Sequence, residues 1–138
     1  MDNNRVARIA TAVRQAIEKC PRSELPWPDF PRGACGDVSL ILGQVLEDEG
    51  ITGFQYICGN RYDPSSSHAW LQNGEWIVDI TADQFPNVGE SVIVSNDSPW
   101  HKRWVQDRPT AGTLREYGFA QVLQLWGVHS MLKPWLSF

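Results

Sequence analysis

The stretch SHAWLQNGEWIVD, residues Ser67 to Asp79, constrains the fold of this chain more tightly than any other. Asn73-Gly74 lies between two runs of strand-forming residues. That dipeptide is a strong short-range hairpin signal, because a type I′ turn needs positive φ at both central positions. With those two residues in the turn, Gln72 faces Glu75, Leu71 faces Trp76, Trp70 faces Ile77, Ala69 faces Val78 and His68 faces Asp79. Opposed residues share a sheet face with Cβ atoms about 4.5 to 5.5 Å apart, so the register brings an imidazole to a carboxylate. A one-residue slip separates them onto opposite faces. An aspartate on one ring nitrogen fixes the tautomer and stabilises the imidazolium, leaving the other nitrogen to serve a nucleophile. The bland alternative is a His-Asp pair that merely closes the sheet edge.

Cys35 supplies the nucleophile. In RGACGDVSLILGQ the apolar positions Val38, Ile41, Leu42, Val45 and Leu46 mark one face of a helix that begins at Cys35 and stops at Gly50. Unpaired N–H groups and the positive dipole end at a helix N-terminus favour a thiolate, and an adjacent imidazole is the usual means of generating one at neutral pH. Gly33 and Gly36 leave space beside it. Cys35 also continues the apolar stripe backwards by three, which is the pattern of a core cysteine. Asp37, in the first turn, is assigned to capping. Cys58 and Cys20 read as packing residues, and His101 and His129 have no comparably placed carboxylate. Zinc held by Cys35, His68 and Asp79 is a further alternative, although the close ligand pairs of structural sites are missing. No metal and no cofactor is expected.

The rest of the chain sets limits. Its 138 residues suit one compact domain spanning 1–138, able to bury a real core. A formal net charge of −4 argues against broad binding to nucleic acid or an anionic membrane, and the basic run His101-Lys102-Arg103 reads as a solvated helix start. The first twenty residues lack the apolar region of a secretory signal, and no run approaches the ~20 apolar residues of a membrane span. Three cysteines without a CxxC pair suit a reducing compartment, so the expected location is the cytoplasm, with export by a dedicated machine left open. Residues 4–19 read as an amphipathic helix, and the four prolines of CPRSELPWPDFPRGACG as an ordered loop held by Trp27 and Phe30. Strands are expected at 53–59, in the hairpin and at 90–96, RYDPSSS as a loop, and a short helix after Ser98 with Pro99 in its first turn. The class is α+β, with N-terminal helices packed on a small antiparallel sheet.

GACGDVSLILGQVLEDEGI, a strand, then SHAWLQNGEWIVDITADQF resembles the transglutaminase-like branch of the papain-like cysteine enzymes. The resemblance covers about residues 33–85. It implies a papain-like core with Cys35 as nucleophile, His68 as general acid and base, and Asp79 as the orienting residue; Asp83 is a rival for Asp79. Papain-type proteases place a glutamine a few residues before the cysteine to complete the oxyanion hole, and PDFPRGA has none. The backbone N–H of Cys35 is one donor, with Trp27 or Gln84 as the second and Trp70 lining the substrate.

The expected activity is acyl transfer from amide bonds of a protein or peptide substrate through a thioester. The triad alone does not separate a peptidase from a glutamine deamidase or a transglutaminase. A toxin or effector domain fits the small size by analogy. From a different class, the chain is a non-enzymatic binding module that kept the fold and presents its seven tryptophans as an interaction surface.

Overall fold

The computed structural model describes residues 2–62 and 64–138. Helix α1 (Asn3–Lys19) begins where Asp2 accepts a hydrogen bond from the Arg5 N–H, and it buries Val6, Ile9, Ala10, Val13 and Ile17, as the spacing requires. The proline-rich segment that follows is pinned by Trp27 and Phe30, both buried with ring centroids 6.2 Å apart. Helix α2 (Cys35–Asp48) ends in a Schellman motif. Gly50, at φ +83°, lets its own N–H reach the Glu47 carbonyl and the Ile51 N–H reach the Leu46 carbonyl, each at 2.9 Å.

Strands β1 (Gln55–Tyr62), β2 (Ser65–Asn73), β3 (Trp76–Asp79), β4 (Ile93–Ser95), β5 (Val105–Gln106) and β6 (Thr110–Ala111) form one antiparallel sheet in the order β4-β3-β2-β1-β5, with β6 also pairing β1. The molecule is therefore α+β, as expected. Most of the polar segment RYDPSSS is strand rather than loop, because Arg61 pairs with Ser66 and Tyr62 with Ser65. Ladder pairing there outweighs a turn-like composition. Asp63, within that segment, lies outside the described residues.

The hairpin register differs from the expected one by two. Leu71 pairs with Val78, Gln72 with Ile77 and Asn73 with Trp76, so Gly74 and Glu75 make the turn. Gly74 has φ +60° and no described non-glycine residue has positive φ. A glycine alone at the first central position is the type II′ pattern, not the type I′ that Asn73-Gly74 suggested. Asn73 instead stays in the strand and donates from its side chain to the Thr52 carbonyl at 3.4 Å.

Side-chain alternation divides the sheet between two clusters. On one face α2 packs with α1 and α4 (Leu123–Leu132) over Leu71 and Val78, forming the larger core. On the other face Ile57, Trp70, Ile77 and Trp104 form a second cluster, covered by the segment of α3 (Pro99–Lys102) with Trp100 and Phe85. His68 and Asp79 alternate in step with Trp70 and Ile77, so both belong to this second side. Close approach on the first side is enforced at Gly43, where a Cβ would stand 1.8 Å from the Gly112 carbonyl oxygen.

Candidate active site

A slip of two residues leaves every side chain on its intended face, because the strand period is two. His68 and Asp79 are accordingly diagonal rather than direct neighbours, and their side chains still meet: Nε2 of His68 lies 2.6 Å from Oδ2 of Asp79. Both groups are fully buried. Nδ1 of the same ring is left for Cys35, which lies near enough for each group to shift the other's pKa.

Pairing with β3 involves only Leu71 to Asn73 of β2, so the earlier part of β2 keeps a free edge on that side. The N-terminus of α2 abuts this edge. The N–H groups of Ala69 on β2 and of Gly36 in its own helix lie close enough to the Cys35 sulfur to lower its pKa. Ala34 occupies the N-cap and contributes no side-chain bond, a poor cap by ordinary preference. The groups a serine or aspartate cap would satisfy thus remain free for the sulfur and for a ligand. Asp37 does not cap: its carboxylate accepts from Trp27 Nε1 at 3.0 Å.

Burial of Cys35 raises its thiol pKa, but the hydrogen bond and charge of His68, followed by the two backbone N–H groups, outweigh burial and bring it below the ordinary value. Burial likewise lowers His68, and Asp79 together with Cys35 reverses this and pushes it up to about 9. Asp79 lies well below the usual carboxylate range. Desolvation opposes its ionisation, and the bonds from His101 and His68 prevail. The Thr81 N–H reaches its other oxygen at 2.9 Å. The shifts therefore favour charge on both partners, making the thiol easier and the imidazole harder to deprotonate, with the far side of the ring resting on a carboxylate.

His101 is the residue that sequence reasoning missed. Instead of starting a solvated helix, it is fully buried, with Nε2 at 2.7 Å from Oδ2 of Asp79 and Nδ1 at 2.6 Å from Ser98 Oγ. Ser98 is the N-cap of α3 with Pro99 behind it, as the sequence indicates, and that cap turns His101 inward. The carboxylate lies 22 positions upstream, beyond any local pattern. His129 also has a carboxylate, Asp48 Oδ2 at 2.8 Å.

His68, Asp79 and His101 are the residues here that could gather around a metal, rather than Cys35, His68 and Asp79. Their contacts are hydrogen bonds at 2.6 and 2.7 Å. Ligand atoms about 2.0 to 2.1 Å from a tetrahedral zinc stand over 3 Å apart, so the spacing fits protons and not an ion.

The other expected site residues have different duties. Trp27 is buried with its N–H committed to Asp37, and so is no oxyanion donor. Trp70 lies wholly inside, its ring 4.8 Å from that of His101, where no substrate reaches it. Gln84 does join the site, its Nε2 at 3.2 Å from both His68 Nδ1 and the Thr81 carbonyl. Asp83, the rival for Asp79, is held instead by Arg14 of α1 at 2.7 and 2.8 Å. Around His68 the rings of Trp70, Phe85, Trp100 and Trp104 stand at 5.2 to 5.9 Å, and Arg61 lies 4.2 Å over Trp104. Comparison with family models, with curated proteins and with solved structures finds nothing that matches this chain.

Proposed function

We propose that the protein is a cysteine-dependent acyl-transfer enzyme acting on amide groups of a polypeptide, built on a core like that of the transglutaminase-like enzymes. The observation that carries this reading is the continuous chain from Cys35 through His68 to Asp79, with the thiol brought down and the imidazole up to about 9. Cys35 is also partly exposed, whereas Cys20 is buried. A structural His-Asp pair needs neither the cysteine nor free N–H groups aimed at its sulfur.

The steps follow from the groups present. The Cys35 thiolate attacks the carbonyl carbon and the C=O electron pair moves to oxygen. When the carbonyl re-forms, the C–N bond breaks and the departing amine or ammonia takes the proton from His68 Nδ1. Water or a second amine then attacks the thioester and returns a proton to His68, and the thiolate leaves. A cleft of about 420 Å³ is lined by Gly36, the neighbour of Cys35 in the chain, and another of about 360 Å³ by Gln84, which contacts His68. The binding-module alternative has less to stand on, since Trp27, Trp70 and Trp104 are buried and Trp135 alone among the tryptophans is an exposed large hydrophobic.

The test is incubation with denatured casein and dansylcadaverine, reading peptide release, ammonia release and dansyl incorporation in parallel. At least one signal is expected in the wild type and none in Cys35→Ala or His68→Ala. Turnover retained by a folded Cys35→Ala protein overturns the reading.

A further inference from the structure

An acyl-transfer centre needs two donors aimed at the oxygen that becomes negative, about 2.7 to 3.1 Å from it. The backbone N–H of Cys35, at the first helical position of α2, is one, since no intrahelical acceptor exists for it. Of the side chains first expected to supply the other, Trp27 is engaged with Asp37, and Gln84 gives one amide hydrogen to the Thr81 carbonyl. Trp104 Nε1 has no acceptor among the described residues, but it is sealed inside the second cluster.

We propose that the hydroxyl of Tyr56 is the second oxyanion donor, an assignment that rests on the acyl-transfer reading above. Tyr56 lies on β1 with its side chain toward α2, and its oxygen presses on the first turn of that helix: a Cβ on Gly36 would be 2.9 Å away. Glycine inside a helix costs about 1 kcal/mol relative to alanine. At position 36 the missing side chain is what admits the phenol next to the cysteine. The hydroxyl makes no hydrogen bond among the described residues, and Tyr56 and Gly36 together line the larger cleft. An unpartnered hydroxyl at the mouth of a cleft, beside the residue that follows the nucleophile, is placed to donate to whatever oxygen the cleft brings there. Burial, with Cys58 and Cys35 nearby, pushes the phenol up to about 12, so it keeps its proton throughout the range in which the thiolate and imidazolium coexist.

Two reagents separate donation to an oxyanion from formation of the thiolate. With p-nitrophenyl acetate, Cys35 adds to a carbonyl, a negative oxygen forms and p-nitrophenolate leaves with the acetyl group on sulfur. With iodoacetamide, sulfur displaces iodide at a saturated carbon and no oxyanion forms there. Tyr56→Phe is expected to slow the p-nitrophenolate burst about 10²-fold and to leave Cys35 alkylation within about twofold of the wild type. Unchanged acylation, or an equal loss in both reactions, overturns the assignment. If Cys35 of the wild type is alkylated no faster than Cys20 and Cys58, the failure lies in the acyl-transfer reading itself and the assignment falls with it.

Discussion

At the sulfur of Cys35, burial and hydrogen bonding pull in opposite directions, and the balance sets a pH signature. His68 is pushed up to about 9, so its contribution to stability is whole below the ordinary value of 6.5 and is lost as pH rises through about 9. Cys35 is pushed down from 9.0, so its contribution is whole above that value and fades as pH falls. Between roughly pH 6.5 and 9 the two trends run in opposite directions. The urea midpoint of the wild type is therefore expected to change less with pH there than that of a variant without the thiol, and to level off above about pH 9. Cys35→Ala keeps, unopposed, the part of the His68 trend that Asp79 supplies and should lose midpoint more steeply as pH rises from about 6.5. Parallel slopes for the two proteins would contradict the pairing. Cys35, His68 and Asp79 were legible in the sequence because each is tied to a local signal: a helix start, and the two arms of one hairpin. Tyr56 and His101 were not, since their partners at Gly36 and Asp79 stand about twenty residues away and no short period connects them.

Among the elements, the hairpin and the turn after β3 do the positioning. The turn chemistry of Asn73-Gly74 pointed to the wrong pair of central residues, yet the site survived because the error was even and strand faces repeat every two residues. The short turn of residues Ala82–Gln84 brings Gln84 to His68 and is clamped from α1, where Arg14 donates to both oxygens of Asp83 and to the Ile80 carbonyl at 2.8 Å. The Arg14 side chain is 8% exposed and that of Asp83 21%, so breaking the pair leaves one charge poorly solvated. Arg14→Ala is expected to cost about 3 kcal/mol in urea denaturation. It should also slow Cys35 alkylation, because the freed turn no longer holds Gln84 against the ring. A loss of stability with alkylation untouched would mean that the clamp serves the fold alone. Nothing local predicted this clamp: Arg14 looked like the polar face of an amphipathic helix.

In the whole molecule, the sheet separates two environments that the site needs at once. The helical side presents a sulfur at a helix start, next to a cleft. The other side encloses the imidazole, the carboxylate and a second imidazole among Trp70, Phe85, Trp100 and Trp104, where water does not weaken their bonds. The apolar spacing of α1 and α2 foretold the larger core. The aromatic enclosure was not foretold, because its rings come from β2, the turn after β3 and the α3 segment, and tryptophans read singly looked like a surface or a substrate wall. The claim on which the account depends is that Cys35 is a thiolate because His68 faces it. It is tested by treating the native protein with limiting iodoacetamide near pH 6.5 and mapping all three cysteines by mass spectrometry. Cys35 should carry the label ahead of Cys20 and Cys58 in the wild type and lose that lead in His68→Ala. Equal slow labelling of the three cysteines, or a Cys35 rate that ignores the loss of His68, would contradict it.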